Sequence, residues 1–139
     1  MYSNYHQERK LLVLITGGTG LLGNALKEVT SCDQGIRDKY DFIFLGSKDA
    51  DLTQIEQAKR VFKIHKPDYV INLAAKVGGL YANMKDNDGF YSANNAMNEH
   101  VLSLADKTRV KKCISCLSTC IFPDKITYPL DETKVMSIL

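Results

Sequence analysis

Closely spaced glycines follow an aliphatic run near the start of the chain and form the clearest chemical motif in the sequence. They fit Gly-x-x-Gly-x-x-Gly from Gly17 to Gly23, with a Gly-x-Gly-x-x-Gly pattern nested inside it. In a strand-to-helix turn the first glycine permits the tight turn, the middle one (Gly20) lets a diphosphate approach the backbone, and the last lets the helix pack on the strand. The diphosphate then lies against free N–H groups at the helix start, at Leu21, Leu22 and Gly23. The motif predicts a dinucleotide site, and a purely structural glycine turn is the alternative.

The residues after a second apolar run, Phe42–Leu45, bear on which nucleotide is bound. Folds that bind NAD place a carboxylate near the end of strand 2, where it accepts hydrogen bonds from the ribose. Here the run ends in Gly46-Ser47-Lys48, which offers a hydroxyl and a cation. A cation attracts the 2′-phosphate that a carboxylate would repel. Lys48 therefore favours NADP(H), and a solvated loop lysine is the alternative interpretation.

Short apolar runs alternate with helix-type patterns along the chain, and this alternation predicts the fold that holds the turn. The predicted strands are Leu11–Thr16, Phe42–Leu45, Tyr69–Leu73 and Val110–Leu117, and the predicted helices are 21–29, 53–66 and 89–107. Buried strands that alternate with helices predict an α/β fold, a doubly wound parallel (Rossmann) sheet, here ending after the fourth strand. The expected strand order is 3-2-1-4, with a ligand crevice at the carboxyl ends beside strand 1.

Two local features complete this prediction. Thr53, with Glu56 three residues later, has the spacing of a capping box and is predicted to begin the second helix. The stretch from Ser118 onward contains Pro123 and Pro129 and is predicted to be loop.

Composition narrows the class of protein. A length of 139 residues suits one domain, 1–139, and a net charge of +2 with scattered basic residues argues against a nucleic-acid partner. No apolar stretch approaches the ~18 residues of a membrane span, and the polar N-terminus lacks a signal-peptide core. A cytoplasmic protein without a membrane partner is expected.

The four cysteines invite a metal interpretation, since Cys113, Cys116 and Cys120 are close together. Cys113 and Cys116 fall on the predicted fourth strand, where an odd spacing places side chains on opposite faces. Two such ligands cannot share a tetrahedral ion, and no second pair with zinc-site spacing follows. We expect no metal site, and reduced, mostly buried thiols instead.

Several segments together resemble a known family. Residues 16–23, Asp51-Leu52, Asn72-Leu73-Ala74-Ala75 and a strand ending at Ser118 look like an extended short-chain dehydrogenase/reductase. Within that superfamily, residues 74–83 (AAKVGGLYAN), 115–125 (SCLSTCIFPDK) and 127–133 (TYPLDET) are similar to GDP-L-fucose synthases. The likeness runs from about Lys10 to Thr133.

The resemblance implies an activity and a set of residue roles. Members of the family convert GDP-4-keto-6-deoxymannose to GDP-L-fucose by two epimerisations and an NADPH-dependent reduction. Gly17, Gly20 and Gly23 are then implied to hold the diphosphate, Asp51 and Leu52 to border the adenine, and Ala74, Ala75 and Lys76 to line the cofactor cleft. Asn94 matches an asparagine beside the nicotinamide, and a helix-surface asparagine is the alternative.

Ser118 and Cys120 carry the implied catalytic roles. Ser118 matches the serine that hydrogen-bonds the substrate keto oxygen, and Cys120 matches the cysteine that acts as a base in epimerisation. A thiol with a lowered pKa can remove a proton next to a ketone if it lies within hydrogen-bond reach. Without the resemblance, Cys120 is a buried thiol and Ser118 a strand-end residue.

The sequence departs from the family at the proton donor for reduction. The family uses a Tyr-x-x-x-Lys pair after the serine strand, whereas the one tyrosine after Ser118, Tyr128, has Glu132 at the fourth position. Tyr81 and Lys85 have the right spacing but precede the strand. We therefore expect a partial NADP(H)-binding domain without the C-terminal substrate domain, a truncated product that is inactive alone.

Two other functions remain open from the sequence. One is a non-catalytic NADP(H)-binding fragment or splice product, for which the family's homodimer is doubtful. The other is a related nucleotide-sugar epimerase, against which the Cys120 segment argues. If the full-length protein is a GDP-L-fucose synthase, its expected partner is a GDP-sugar substrate. If it is an epimerase, its expected partner is a related nucleotide-sugar.

Overall fold

A four-stranded parallel sheet forms the centre of the protein. The computed structural model describes residues 9–118, 122–123 and 127–138. The strands are β1 (Leu11–Thr16), β2 (Tyr40–Leu45), β3 (Tyr69–Asn72) and β4 (Lys112–Ser115). The helices are α1 (Leu21–Cys32), α2 (Gln34–Lys39), α3 (Ile55–His65), α4 (Leu80–Lys85) and α5 (Asn87–Lys107), followed by a 3-10 helix over Glu132–Ile138. The predicted α/β fold class is confirmed.

The strands lie in the order β2-β1-β3-β4 and all pair in parallel. The expected order 3-2-1-4 is wrong because residues 46–54 form turns that lead directly into α3. The chain then passes over β1, so β3 pairs with β1 and not with the outer edge of β2. Connections leave β1 and β3 in opposite directions, which creates the switch point at which parallel sheets bind ligands.

One face of the sheet carries most of the buried core. Leu14 and Val70 pack there against Phe62 of α3 and Val101 of α5. Phe62 and Val70 are each 1% exposed, and Leu14 and Val101 are fully buried. The core fixes α3 and α5 against the sheet, and with them the loops that surround its carboxyl edge.

Several predicted boundaries differ from the structure. Helix α3 begins at Ile55 after Gln54, and Thr53 hydrogen-bonds Asp51 instead of capping the helix. The capping-box prediction is therefore wrong. The predicted helices did not include α2 or α4, and the 3-10 helix falls in the stretch after Ser118 that was predicted to be loop. Helix α5 begins at Asn87 because the Asp86 side chain accepts a hydrogen bond from the Gly89 amide.

Asp68 joins the amino ends of three strands. Its side chain, 6% exposed, accepts hydrogen bonds from two nitrogens of Arg9 (2.7 and 2.8 Å) and from the Leu12 amide (2.9 Å). Lys111 Nζ lies 3.3 Å from the second carboxylate oxygen. The hydrogen bonds from Arg9, and next that from Leu12, hold the pKa of Asp68 well below its usual range.

We expect Asp68→Asn to lower the free energy of unfolding at pH 7 by about 2 kcal/mol, since it weakens hydrogen bonds to a charged group. A depressed folded-state pKa stabilises the protein above the unfolded pKa, near 4, and that contribution is lost as the pH falls further. Urea unfolding of both proteins should therefore show a difference at pH 7 that shrinks below about pH 4.

Asp41→Asn is the matched control for this experiment. Its carboxylate lies 3.8 Å from Lys10 Nζ, and both side chains are largely exposed. Exposed pairs of this kind contribute about 0–1 kcal/mol. Equal losses from the two substitutions would contradict the role assigned to Asp68.

Candidate cofactor-binding site

The glycine turn connects β1 to α1 with little room for side chains. Gly17 has φ +67°, in the left-handed region that favours glycine, and a Cβ there would lie 2.6 Å from the Leu73 carbonyl oxygen. At Gly23 a Cβ would lie 2.4 Å from the Gly18 carbonyl oxygen, so only glycine lets α1 pack this closely on the turn. Both positions match the roles that the motif predicts.

The start of α1 is open to an anionic ligand. The first helical hydrogen bond runs from the Asn24 amide to the Gly20 carbonyl (2.9 Å). The N–H groups of Leu21, Leu22 and Gly23 come before this bond, so they have no acceptor within the helix. Gly20 occupies the cap position without a side chain, and the first turn contains no acidic residue. No side chain of the first turn of α1 therefore neutralises the positive end of the helix dipole.

A cleft of about 630 Å³ opens above this turn at the carboxyl ends of β1, β2 and β3. This volume is typical of pockets that hold small molecules or cofactors. Its walls are the glycine turn, the loop after β2, the loop after β3 and one residue of α5: Gly17, Thr19, Gly20, Leu21, Leu22, Gly23, Leu45, Gly46, Ser47, Ala50, Asp51, Leu52, Leu73, Ala74, Ala75, Val77 and Met97.

The loop after β2 is a tight turn closed by Asp49. The Asp49 carboxylate accepts a hydrogen bond from the Gly46 amide (2.7 Å), and the Asp49 amide donates to the Gly46 carbonyl (3.1 Å). Ser47 and Lys48 are exposed on the outside of this turn, and Ser47 reaches the wall of the cleft. The Asp49 carboxylate is thus engaged within its own loop.

The adenine-side residues that the resemblance implies are fixed from two directions. The Asp51 carboxylate accepts hydrogen bonds from the Thr53 amide (2.9 Å) and hydroxyl (2.7 Å). Leu52 is buried, and its carbonyl lies 2.9 Å from Nδ1 of His100 on α5. Since a carbonyl oxygen only accepts, that ring nitrogen carries the hydrogen.

A buried polar network supports the floor of the cleft. The Thr16 hydroxyl donates to Asn72 Oδ1 (2.5 Å), and Asn72 Nδ2 donates to Asn98 of α5 (3.0 Å) and to Ser115 (3.2 Å). Thr16 is fully buried and Asn72 is 2% exposed. The Thr16 hydroxyl also accepts from the Ala74 amide (3.3 Å), so the network reaches the cleft wall.

Most of the predicted cofactor residues come together in this cleft. Gly17 and residues 20–23 of the glycine turn, both residues of the Asp51-Leu52 pair, and Ala74 and Ala75 line it. Lys48, Lys76 and Asn94 do not line it; they lie on or behind its bordering loops. The cofactor-binding roles of all these residues, inside the cleft and outside it, remain predictions.

The predicted catalytic residues lie beyond β4. Ser118 is exposed, three positions after the end of the strand. Cys120 lies outside the described residues. Of the described cysteines, Cys32 and Cys116 are exposed and Cys113 is partly buried, so the expectation of mostly buried thiols is wrong for Cys32 and Cys116. Burial raises the pKa of the Cys113 thiol.

Sequence reasoning missed several lining residues. Thr19 stands inside the motif, and its side chain packs against Gly46, so a search of the whole turn would have found it. Met97 of α5 carries no local signal, because its place depends on how α5 packs across the sheet.

No helix in the described part of the chain is long and apolar enough to cross a membrane.

The parallel sheet, the glycine turn and the cleft at the switch point define a Rossmann-type fold. The chain belongs to the NAD dependent epimerase/dehydratase family, whose model matches residues 13–137. A probable GDP-L-fucose synthase from Drosophila melanogaster is 51% identical over 123 residues, which cover 88% of this chain and 38% of that protein. GDP-L-fucose synthase from Dictyostelium discoideum is 44% identical over 126 residues, covering 91% and 39%.

A solved structure agrees with these relatives. The GDP-L-fucose synthetase from Naegleria fowleri bound to NADP superposes with a TM-score of 0.79 and 45% sequence identity, covering 91% of this chain and 39% of that one. The chain thus spans between a third and two fifths of the length of the relatives named here.

Proposed function

We propose that this chain is the NADPH-binding part of a GDP-L-fucose synthase. The observation that carries the proposal is the cleft at the glycine turn, in which uncapped N–H groups of α1 face the space between two loops. The similarity to GDP-L-fucose synthases, one of them bound to NADP, supports the same assignment. When bound, NADPH supplies the hydride for reduction of the keto-sugar.

Each wall of the cleft has a role in this proposal. The amides of Leu21, Leu22 and Gly23 bind the diphosphate, which their orientation at the helix start favours. Asp51 and Leu52 border the adenine, and Ala74 and Ala75 form an apolar part of the cleft wall.

Lys48 provides the selectivity for a 2′-phosphate. The Asp49 carboxylate is occupied by the Gly46 amide, so it does not take the ribose-binding role of NAD-type folds. Within the described residues Lys48 takes part in no ion pair, and its ammonium group is available to a phosphate beside Ser47. The pair of hydroxyl and cation suits a phosphate dianion.

The sugar chemistry is assigned to the segment after β4. Ser118 hydrogen-bonds the keto oxygen of GDP-4-keto-6-deoxymannose, and Cys120 removes the proton beside it. The 139 residues contain no Tyr-x-x-x-Lys pair after Ser118, so we expect this chain by itself to bind NADPH without reducing the sugar.

Fluorescence titration with NADPH and NADH tests this proposal. We expect saturable binding that favours NADPH, and Lys48→Ala should weaken NADPH binding by about 10-fold because one charge-assisted contact is lost. NADH binding should not change, since NADH has no 2′-phosphate. Lys63→Ala, at an exposed site on α3, is the control.

Two outcomes would contradict the assignment. If the folded chain binds neither nucleotide, the cofactor proposal is wrong. If Lys48→Ala weakens the binding of NADPH and NADH equally, or changes the binding of neither, Lys48 does not recognise the 2′-phosphate.

A further inference from the structure

The loop after β3 forms a lip of the cleft that has no regular secondary structure of its own. Ala75 and Val77 line the cleft, and residues 75–79 are exposed. An exposed loop without strand or helix hydrogen bonds needs other contacts to keep one conformation. Asn83 of α4 donates hydrogen bonds from Nδ2 to the Gly78 and Gly79 carbonyls (2.8 and 3.1 Å) at the far end of the loop. The contacts to Lys76 in the middle of the loop come from one side of α5.

Three residues at four-residue intervals, Asp86, Phe90 and Asn94, face this lip. Asp86 caps α5, and its carboxylate lies 3.1 Å from Lys76 Nζ. The Lys76 ammonium lies 4.6 Å from the centroid of the Phe90 ring, whose tip also packs against Gly78. Residues four positions apart lie on the same side of a helix, so the three contacts form one stripe.

Asn94 makes the most specific contact of the stripe. Its Oδ1 accepts a hydrogen bond from the Lys76 amide (2.8 Å), and its Nδ2 donates to the Lys76 carbonyl (2.9 Å). The orientation of the side-chain amide is fixed, because a backbone N–H only donates and a carbonyl only accepts. One side chain therefore satisfies both backbone groups of a residue that lies between Ala75 and Val77 of the cleft wall.

We propose that Asn94 is a positioning residue of the cofactor site, which acts through the backbone of Lys76 rather than by touching the nicotinamide. Asp86 and Phe90 hold the Lys76 side chain, while Asn94 sets the direction of its peptide groups. The cleft wall at Ala75 and Val77 is thereby fixed before the cofactor binds. The inference rests on the proposed NADPH site for its ligand, but the hold on Lys76 is a property of the chain alone.

Hydrogen exchange of the ligand-free protein, followed amide by amide by NMR, tests the hold directly. In Asn94→Ala the Lys76 amide should exchange at least about 10-fold faster, because its acceptor, Asn94 Oδ1, is removed. Amides of β3 such as that of Ile71 should keep their rates, which separates a local effect from general loss of stability. Asn95→Ala, at the neighbouring exposed position, should leave Lys76 unchanged.

NADPH titration of the same proteins tests the consequence. We expect Asn94→Ala to raise the dissociation constant for NADPH by about 10-fold, comparable with the loss of one hydrogen-bonded contact, while Asn95→Ala has no effect. Asn94→Asp keeps an acceptor oxygen but loses the amide donor, and it should fall between the wild type and Asn94→Ala.

Unchanged exchange of the Lys76 amide in Asn94→Ala would overturn the proposed hold. Faster exchange with unchanged NADPH affinity would overturn the positioning role, since the lip would then not matter for binding. Failure of the wild-type chain to bind NADPH would instead refute the proposed function, and the exchange result for Lys76 would still decide whether Asn94 holds the lip.

Discussion

Gly20→Val should abolish most NADPH binding, raising the dissociation constant by about 100-fold or more, which corresponds to about 2.7 kcal/mol. Gly20 lines the cleft at the start of α1, where a diphosphate must approach the backbone amides. A Cβ at this position meets only the Gly17 carbonyl oxygen, at 3.2 Å, so the added side chain extends into the ligand space and not into the core. The cap backbone, φ −79° and ψ −176°, is also accessible to valine.

Titration of NADPH fluorescence, combined with urea unfolding, measures both parts of this prediction. Gly35→Val on the exposed helix α2 is the control, because its Cβ meets only Asp33 Oδ1 at 3.4 Å, far from the cleft. Binding should be lost in the first variant and retained in the second, with both still folded. Near-normal NADPH affinity in folded Gly20→Val would contradict the location of the diphosphate.

Gly23→Ala should lower the free energy of unfolding by about 3 kcal/mol, the upper part of the range for overpacked sites. Alanine is normally the better helix residue by ~1 kcal/mol, so propensity alone predicts the opposite sign. The Gly23 Cβ would lie 2.4–2.5 Å from three backbone atoms of Gly18, and backbone cannot move aside without opening the turn. Close packing therefore outweighs propensity at this position.

Gly35→Ala provides the matched comparison for stability. It too replaces a glycine inside a helix, but its Cβ makes only an ordinary van der Waals contact. We expect this variant to gain about 0.5 kcal/mol from helix propensity. Urea unfolding of the two variants should show changes of opposite sign, and a stabilised Gly23→Ala would refute the packing argument.

The strands and the glycine turn could be predicted because each carries a local signal. β1 is a continuous aliphatic run, and its predicted bounds, Leu11–Thr16, are those observed. The turn follows from glycine spacing alone, since Gly17 needs a left-handed backbone and Gly23 needs close packing. The parts of the fold that are set by residues close together in the sequence could thus be predicted.

The strand order could not be predicted because it depends on which strand β3 pairs with after the connection from β2 crosses the sheet. Nothing in the sequence of α3 states that the chain passes over β1 to pair β3 with it. The capping-box prediction failed for a similar reason: Thr53 had a competing partner in the Asp51 carboxylate, which the tight loop brings within 2.7 Å.

The residues of the candidate site also fall into two groups, those with a local sequence signal and those that depend on long-range packing. Gly17, Gly20 and Gly23 of the motif line the cleft, as predicted from their spacing. Met97, Asn98 and His100 of α5 line the cleft or support its neighbours only because α5 packs behind the carboxyl edge of the sheet. Asn94 was predicted beside the nicotinamide, and in the structure its amide is bound to the backbone of Lys76. Long-range contacts of this kind leave no periodic trace in the sequence.

The most direct test of the proposed NADPH site is an NMR titration of the 139-residue chain with NADPH, read as changes in backbone amide shifts. We predict saturable changes concentrated at the amides of 17–23 and 46–48, on the two loops that flank the cleft. Changes confined to the groove on the sheet near Tyr40, Tyr69 and Ile114, with the glycine turn unaffected, would contradict it.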